Sequence, residues 1–264
     1  MIGTPTKDPN TRSDKRPVWW VRPKPNPQAA LRLLCFPYAG GTASVFRTWH
    51  LALPGEVEVY GIQLPGRANR FVEPAFTRAS ELVEVLAPAL ESLFDKPFVF
   101  FGHSMGAIIS FELSRWLRRH GKPLPSHLFV AGRRAPQIPD TDPPRYLLND
   151  ADFITSLSEL NGIPNEVMNN PDLVRLALPV LRADVELSET YEYREEPPLT
   201  CPITAFGGVD DKEESLDIVN GWSAQTNSVF SFHAMAGDHF FIQSNETELL
   251  KLMRNELYKT LVSI

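Results

Sequence analysis

Cysteine is scarce in this chain, since only Cys35 and Cys201 occur among its 264 residues. The first residues, Met1–Gly3, lead into polar sequence rather than an apolar signal core, so a disulfide framework of the secreted type is excluded. No stretch reaches the roughly 18 apolar residues of a membrane span. We therefore expect a soluble, cytoplasmic protein that does not bind membranes.

An excess of positive charge is also missing. Lys and Arg number 26 against 32 Asp and Glu, which leaves a net charge of −6. Non-specific nucleic-acid binding needs a basic face, so this balance argues against nucleic acid as a partner. Hydrophobic residues make up 43% of the chain, enough to bury a core without disulfide staples.

Strand-like and helix-like segments alternate from Leu31 onward. The predicted strands are Leu31–Phe36, Val57–Ile62, Phe98–Phe101, Leu128–Ala131, Ile203–Phe206 and Val229–His233. The predicted helices between and after them are Ser44–Leu53, Ala79–Phe94, Ser104–His120, Ser215–Gln225 and Asn245–Leu261. Such alternation with short connections is typical of the α/β class, with a mostly parallel sheet covered by helices on both faces.

Two regions depart from this rhythm. Residues 1–17 are polar and aperiodic, and we expect a disordered tail there, ahead of a single domain over residues 18–264. Between about residues 134 and 198 the pattern predicts two amphipathic helices, about Asp150–Asn161 and about Asp172–Tyr191, in place of strands. An insertion of this size is most simply a helical lid over an active site.

The sharpest motif is Gly-His-Ser-Met-Gly over residues 102–106. It fits the Gly-x-Ser-x-Gly nucleophile elbow, which needs a buried strand before it and a helix after it. The apolar run Phe98–Phe101 supplies the strand, and the following periodic segment supplies the helix. The motif therefore predicts Ser104 as a catalytic nucleophile.

A serine nucleophile needs a base, and the base needs an orienting carboxylate. In this arrangement the acid and then the histidine follow the serine along the chain. His239 lies on a predicted loop after the last strand, which indicates the base. Asp210 and Asp211 both follow the strand Ile203–Phe206, and position alone leaves the choice between them open. A metal site has no supporting His or Cys spacing.

The oxyanion hole of such a site takes one amide from the residue after the nucleophile and one from a loop after an early strand. The first is predicted to be Met105. For the second we select Ala39, because its loop carries two glycines that allow an amide to turn into the site. The His-Gly-Gly-Gly motif of lipases is absent, which argues against a general lipase.

Taken together, several motifs resemble those of the type II thioesterases, the editing thioesterases of nonribosomal peptide and polyketide synthases. The matching segments are FPYAGG (residues 36–41), GIQLPGR (61–67), FGHSMGA (101–107), FGGVDD (206–211) and GDHFFI (237–242). The resemblance extends from about Leu31 to about Leu261. It favours Asp211 over Asp210, because the family's triad aspartate is the later acidic residue of its loop. Asp238 stands where the family usually has a glycine.

This resemblance implies an α/β-hydrolase fold with a helical lid. It also implies hydrolysis of acyl groups from the phosphopantetheine arm of acyl or peptidyl carrier domains, through an acyl-serine intermediate. We expect a monomer that uses neither a cofactor nor a metal. The alternative reading is a product-releasing thioesterase or a small-molecule serine esterase with the same triad.

Carrier domains of this kind are typically acidic where they dock, as the resemblance implies. We therefore expect a basic docking face on the thioesterase and select Arg67 and Arg70 for it. Arg115, Arg118 and Arg119 are weaker candidates, because basic residues near a helix C-terminus are already explained by the helix dipole.

Overall fold

A seven-stranded sheet forms the centre of the computed structural model, which describes residues 18–160, 162 and 169–264. The strands are β1 (Trp20–Val21), β2 (Leu31–Phe36), β3 (Val57–Ile62), β4 (Phe98–His103), β5 (Leu128–Ala131), β6 (Ile203–Gly208) and β7 (Phe230–Met235). Their order across the sheet is β1-β3-β2-β4-β5-β6-β7. All neighbours are parallel except β1, which runs antiparallel to β3. The tail predicted for residues 1–17 lies outside the described residues.

Seven α-helices accompany the sheet in the described part of the chain. They are α1 (Ala79–Leu90), α2 (Met105–Arg119), α3 (Asp150–Ser158), α4 (Pro171–Glu189), α5 (Leu216–Asn220), α6 (Phe241–Ser244) and α7 (Glu246–Ser263). Short 3₁₀ turns cover Ala43–Phe46, Trp49–Leu51, Ala68–Arg70, Glu91–Leu93, Arg145–Leu147 and Gly221–Gln225. None of these helices has the length and apolar character needed to cross a membrane.

Successive side chains of the central strand β4 serve two cores. Phe98 and Phe100 belong to the core shared with α1 and α2, whereas Val99 and Phe101 belong to the core shared with α7. Because neighbouring residues of a strand point to opposite faces, a strand covered on both sides must be apolar throughout. This is why residues Phe98–Phe101 of β4 form a continuous apolar run.

The strand order reverses direction beside β2, since β3 lies on one side of it and β4 on the other. In open α/β sheets, ligands bind at such a switch point, in the crevice outside the carboxyl ends of the strands. The loop after β2 and the turn after β4 both open into this crevice.

Helices α3 and α4, called the lid helices below because they form the insertion predicted as a lid, stand in the connection between β5 and β6. An asparagine caps each one: Asn149 accepts from the Asp152 amide, and Asn170 accepts from the amides of Asp172 and Leu173. They pack on each other through a small core of Phe153, Leu157, Leu181 and Val185.

Two local expectations differ from the structure. The two-residue strand β1 was not predicted, because it is short and has prolines nearby, which argue against a strand. It forms by pairing with the free edge of β3. The helix predicted over Ser44–Leu53 is wrong, since two 3₁₀ turns stand there. Its buried aromatics, Phe46 and Trp49, are three residues apart, and side chains with that spacing are aligned in a three-residue turn.

Candidate active site

Ser104 stands on a sharp turn between β4 and α2. Its backbone φ of +53° lies in the left-handed region, which is rare for a residue with a side chain and marks local strain. The turn also needs the glycine at position 106, because a Cβ there would lie 2.1 Å from the carbonyl oxygen of Phe36. This close contact between strand β2 and the start of α2 holds the hydroxyl of Ser104 up into the crevice.

A chain of hydrogen bonds joins Ser104 to two residues distant in sequence. The Ser104 Oγ lies 3.0 Å from His239 Nε2, and the His239 Nδ1 lies 2.8 Å from Asp211 Oδ2. The other carboxylate oxygen, Asp211 Oδ1, accepts the backbone amides of Glu213 at 2.9 Å and Glu214 at 3.2 Å. These contacts orient the carboxylate toward the imidazole, and the imidazole toward the serine.

Asp210 takes no part in these hydrogen bonds. Its side chain is exposed, and its backbone amide donates to the carbonyl of Gly237. Adjacent residues on a turning backbone point in different directions, so only one of the two aspartates reaches His239. Asp238 forms a hydrogen bond within the turn that carries His239, where its Oδ1 accepts the Phe240 amide at 2.9 Å.

Within this hydrogen-bonded group, His239 and Asp211 shift each other's pKa. Burial by itself lowers the pKa of His239, but the hydrogen bond and the negative charge of Asp211 outweigh it and raise that pKa above its ordinary value. Burial raises the pKa of Asp211, but the hydrogen bond from His239 and the backbone amides of Glu213 and Glu214 bring it below the usual value. Asp211 is therefore ionised at neutral pH and stabilises a protonated His239.

Both residues selected for the oxyanion hole border the serine. Met105 is the first residue of α2, so its amide has no acceptor within the helix. Ala39 lines the cleft together with Ser104 and His239. The next two amides of that loop are already engaged, Gly40 with Asp184 Oδ2 at 2.7 Å and Gly41 with the Tyr38 carbonyl at 2.8 Å.

A cleft lies above Ser104 and is lined by residues of both the lid and the body of the protein. One wall is apolar and comes mainly from the lid helices through Leu157, Leu181 and Val185. The lining also includes charged side chains: Arg145 Nε lies 2.9 Å from Glu189 Oε1, and the same guanidinium pairs with Glu213. This network links both ends of the lid to the loop that carries Asp211.

The arginines selected for a docking face do not form one. Arg67 and Arg70 are 5% and 2% exposed, and they pair with Asp184 and Glu73 respectively, so this expectation is wrong. The reason is tertiary, since Asp184 comes from a lid helix far along the chain. The three arginines of α2 all pair with Glu196: these are Arg115, Arg118 and Arg119.

Two features of the site were not found from the sequence. His103, the residue before Ser104, is fully buried, and its Nε2 lies 2.9 Å from the backbone carbonyl of His239. The second is the pair of Arg67 and Asp184, whose separation along the chain leaves no local pattern. Among the described residues, no group of three or more His, Cys, Asp or Glu side chains is arranged to hold a metal.

Comparison with known proteins gives a consistent result. A family model described as "Thioesterase domain" matches residues 31–257. The gramicidin S biosynthesis protein GrsT of Aneurinibacillus migulanus is 44% identical over 239 residues, which cover 90% of this chain and 93% of GrsT. The thioesterase PikA5 of Streptomyces venezuelae is 36% identical over 245 residues, covering 92% of this chain and 86% of PikA5.

A solved structure extends this similarity to three dimensions. The type II thioesterase BorB, from the borrelidin biosynthetic cluster, superposes with a TM-score of 0.83 at 35% identity. The match covers 92% of this chain and 98% of BorB. The α/β-hydrolase-like architecture expected from the sequence is thereby confirmed.

Proposed function

The chain belongs to the thioesterase domain family, and on that premise we propose that it removes acyl groups from the phosphopantetheine arm of carrier proteins. In this role it edits a nonribosomal peptide or polyketide synthase by clearing unproductive thioesters. The observation that carries the proposal is the hydrogen-bonded chain of Ser104, His239 and Asp211 beneath two lid helices. Similarity to GrsT, PikA5 and BorB over most of each chain supports it.

The acylation step follows from the geometry. Ser104 Oγ attacks the thioester carbonyl while its proton passes to His239 Nε2, 3.0 Å away. The carbonyl oxygen becomes negative and accepts hydrogen bonds from the amides of Met105 and Ala39. Each such donor contributes about 3 kcal/mol of transition-state stabilisation in well-studied hydrolases. Asp211 stabilises the imidazolium that forms.

Collapse of this intermediate breaks the carbon–sulfur bond and leaves an acyl-serine. The departing thiolate takes the proton from His239, and because a free thiol has a pKa of about 8.5, it needs little help from an acid. Water then attacks the acyl-serine, with His239 again as base. The products are the free acid and Ser104 with its proton restored.

The lining of the cleft suits an acyl group. Leu157, Leu181 and Val185 of the lid helices form an apolar wall beside Ser104, against which the carbon chain of an acyl group can pack.

The proposal includes a cellular setting. We place the protein in the cytoplasm as a monomer that meets its carrier proteins there and contacts neither nucleic acid nor membranes. The net charge of −6 supports the absence of nucleic-acid contact. Because Arg67 and Arg70 are buried and paired internally, they do not supply the docking surface for the carrier.

An activity panel tests this function. The same acetyl group is presented on a phosphopantetheinylated carrier protein, on coenzyme A and as a 4-nitrophenyl ester, with Ser104→Ala as the blank. We expect kcat/KM for the carrier to exceed that for acetyl-CoA by about tenfold or more, a difference of about 1.4 kcal/mol. Equal values for carrier and coenzyme A would contradict the carrier role. Preference for the nitrophenyl ester would favour the small-molecule esterase.

A further inference from the structure

A buried ion pair joins the body of the protein to the lid. Arg67 Nη1 and Nη2 donate to Asp184 Oδ2 and Oδ1 at 2.6 and 2.7 Å, with Asp184 in the C-terminal half of α4. The two side chains are only 4% and 3% exposed. Burying a salt bridge costs so much desolvation that an apolar pair of the same volume is often equally stable. Stability alone therefore does not explain this pair.

Both members of the pair also form hydrogen bonds with one particular turn, residues 38–41. Asp184 Oδ2 also accepts the Gly40 amide at 2.7 Å, and Arg67 Nη1 also donates to the Gly41 carbonyl at 3.2 Å. The lid helix packs directly on the turn, since a Cβ on Gly40, where φ is +75°, would lie 2.5 Å from Leu181 Cδ2. This turn is thus fixed by one polar and one apolar contact from the lid, through Asp184 and Leu181, and by one polar contact from Arg67 of the body.

The same turn carries the Ala39 amide. Ala39 and Gly40 are its two central residues, because the Gly41 amide closes the turn on the Tyr38 carbonyl at 2.8 Å. Consecutive peptide groups share one Cα, so holding the Gly40 amide also limits how the Ala39 amide can rotate. An oxyanion donor acts only when it lies about 2.7–3.1 Å from the developing charge.

We propose that Arg67 and Asp184 are positioning residues that hold the Ala39 amide in the oxyanion hole, so that the hole is complete only while α4 is docked. Undocking of α4 withdraws the acceptor of the Gly40 amide and frees the turn. Docking of α4 restores this acceptor, so closure of the lid and completion of the oxyanion hole are coupled. This inference rests on the proposed acyl transfer to Ser104, but it does not depend on the carrier protein.

A matched control lies two residues further along the same helix. Glu186 Oε1 pairs with Arg78 Nη1 at 2.7 Å and so also ties α4 to the body of the protein. The Arg78–Glu186 pair has no contact with residues 38–41. Glu186→Gln therefore weakens an ion pair between lid and body without changing any contact of the turn at residues 38–41.

The test compares Asp184→Asn with a double variant, Arg67→Met with Asp184→Leu, which replaces the ion pair by apolar groups that fold without a buried charge. The substrate is acetyl-N-acetylcysteamine, a small thioester that needs no docking. Removal of one oxyanion donor typically lowers kcat about 10²–10³-fold. We expect kcat of the double variant to fall by at least about tenfold with little change in KM, and Glu186→Gln to stay within about twofold of wild type.

A second readout separates the oxyanion hole from general damage. A boronic acid analogue of the acyl group forms a tetrahedral adduct with Ser104, and its affinity should fall in parallel with kcat. Thermal unfolding of each variant identifies the folded ones. In Asp184→Asn the charge of Arg67 is left without a partner, and that alone could lower kcat. If the folded double variant, which has no such charge, keeps wild-type kcat, the proposal is wrong. A change in KM with kcat preserved would overturn it as well.

Discussion

His103 Nε2 lies 2.9 Å from the backbone carbonyl oxygen of His239, so the residue before Ser104 holds the loop that carries His239. Burial lowers the pKa of His103 to about 3, which keeps its imidazole neutral near pH 7. The Nε2 must then carry the proton and donate to the carbonyl. The ring is also packed edge-on against Tyr38, Phe240 and Phe241.

We therefore predict that His103→Phe lowers kcat, because it keeps a ring of similar size but leaves the carbonyl of His239 without its donor. The unsatisfied carbonyl costs about 1–3 kcal/mol of stability as well. His103→Gln, whose amide nitrogen can reach the position of Nε2, should retain more activity than His103→Phe. Steady-state kinetics on a small thioester, with thermal melts, measures both. Equal kcat in the two variants would contradict this role.

Replacing Ser104 by Ala should abolish acyl-enzyme formation and leave the fold intact. The hydroxyl makes its contact with His239 at the mouth of the crevice, so its loss opens no cavity in the core. Mass spectrometry after mixing with acyl thioester detects an acyl adduct on the wild type and should detect none on the variant. The melting temperature should change by no more than about 2 °C, roughly the effect of 1 kcal/mol in a protein of this length. Near-normal turnover would exclude Ser104 as the nucleophile.

The two neighbouring aspartates should differ sharply. Asp211→Asn removes the charge that stabilises the His239 imidazolium, and the equivalent change in the serine-protease template costs roughly 10⁴ in kcat. Asp210→Asn is the matched control, because its exposed side chain lies outside the hydrogen-bonded chain. It should keep most of the activity. Both variants are assayed on one acyl-carrier substrate, and the reverse ranking would move the carboxylate role to Asp210.

The pH dependence of kcat/KM should report the ionisation of His239. As a base it must be neutral, so activity rises as pH increases through its pKa, which lies above the ordinary value because of Asp211. In Asp211→Asn the charge that raises this pKa is gone. The acidic limb of the residual activity should therefore shift to lower pH. An unchanged limb would show that another group controls it.

Stability should fall on acidification, and His127 is one reason. Burial lowers its pKa to about 4, and its Nε2 contacts Thr204 Oγ1 at 2.8 Å. Between about pH 6.5 and pH 4 the unfolded chain binds a proton at this residue and the folded chain does not, so the free energy of unfolding drops as pH falls.

His127→Gln keeps a hydrogen-bonding group near Thr204 but removes this titration. Denaturant melts at pH 7, 6 and 5 should show a loss of stability that is shallower in the variant, by at most about 1.4 kcal/mol per pH unit, the value of one proton. Parallel curves for the two proteins would contradict the assignment to His127.

The local pattern of the sequence determined the elements around the nucleophile. The apolar run of β4, the Gly-x-Ser-x-Gly turn and the periodic helix α2 are contiguous, so Ser104 could be placed on its turn from spacing alone. His239 and the pair of neighbouring aspartates followed from chain order, because each stands on a loop after a strand. The choice between the aspartates rested on the resemblance of one loop to a family.

Only the tertiary structure decided how distant residues combine. Arg67 is a surface arginine by its local sequence, and it is buried because Asp184 of α4 reaches it across the crevice. The strand β1 exists because the edge of β3 offers free backbone groups to pair with, which no property of Trp20 or Val21 reveals. Contacts between residues far apart in the chain depend on how the elements pack, and periodicity along the chain carries no record of that packing.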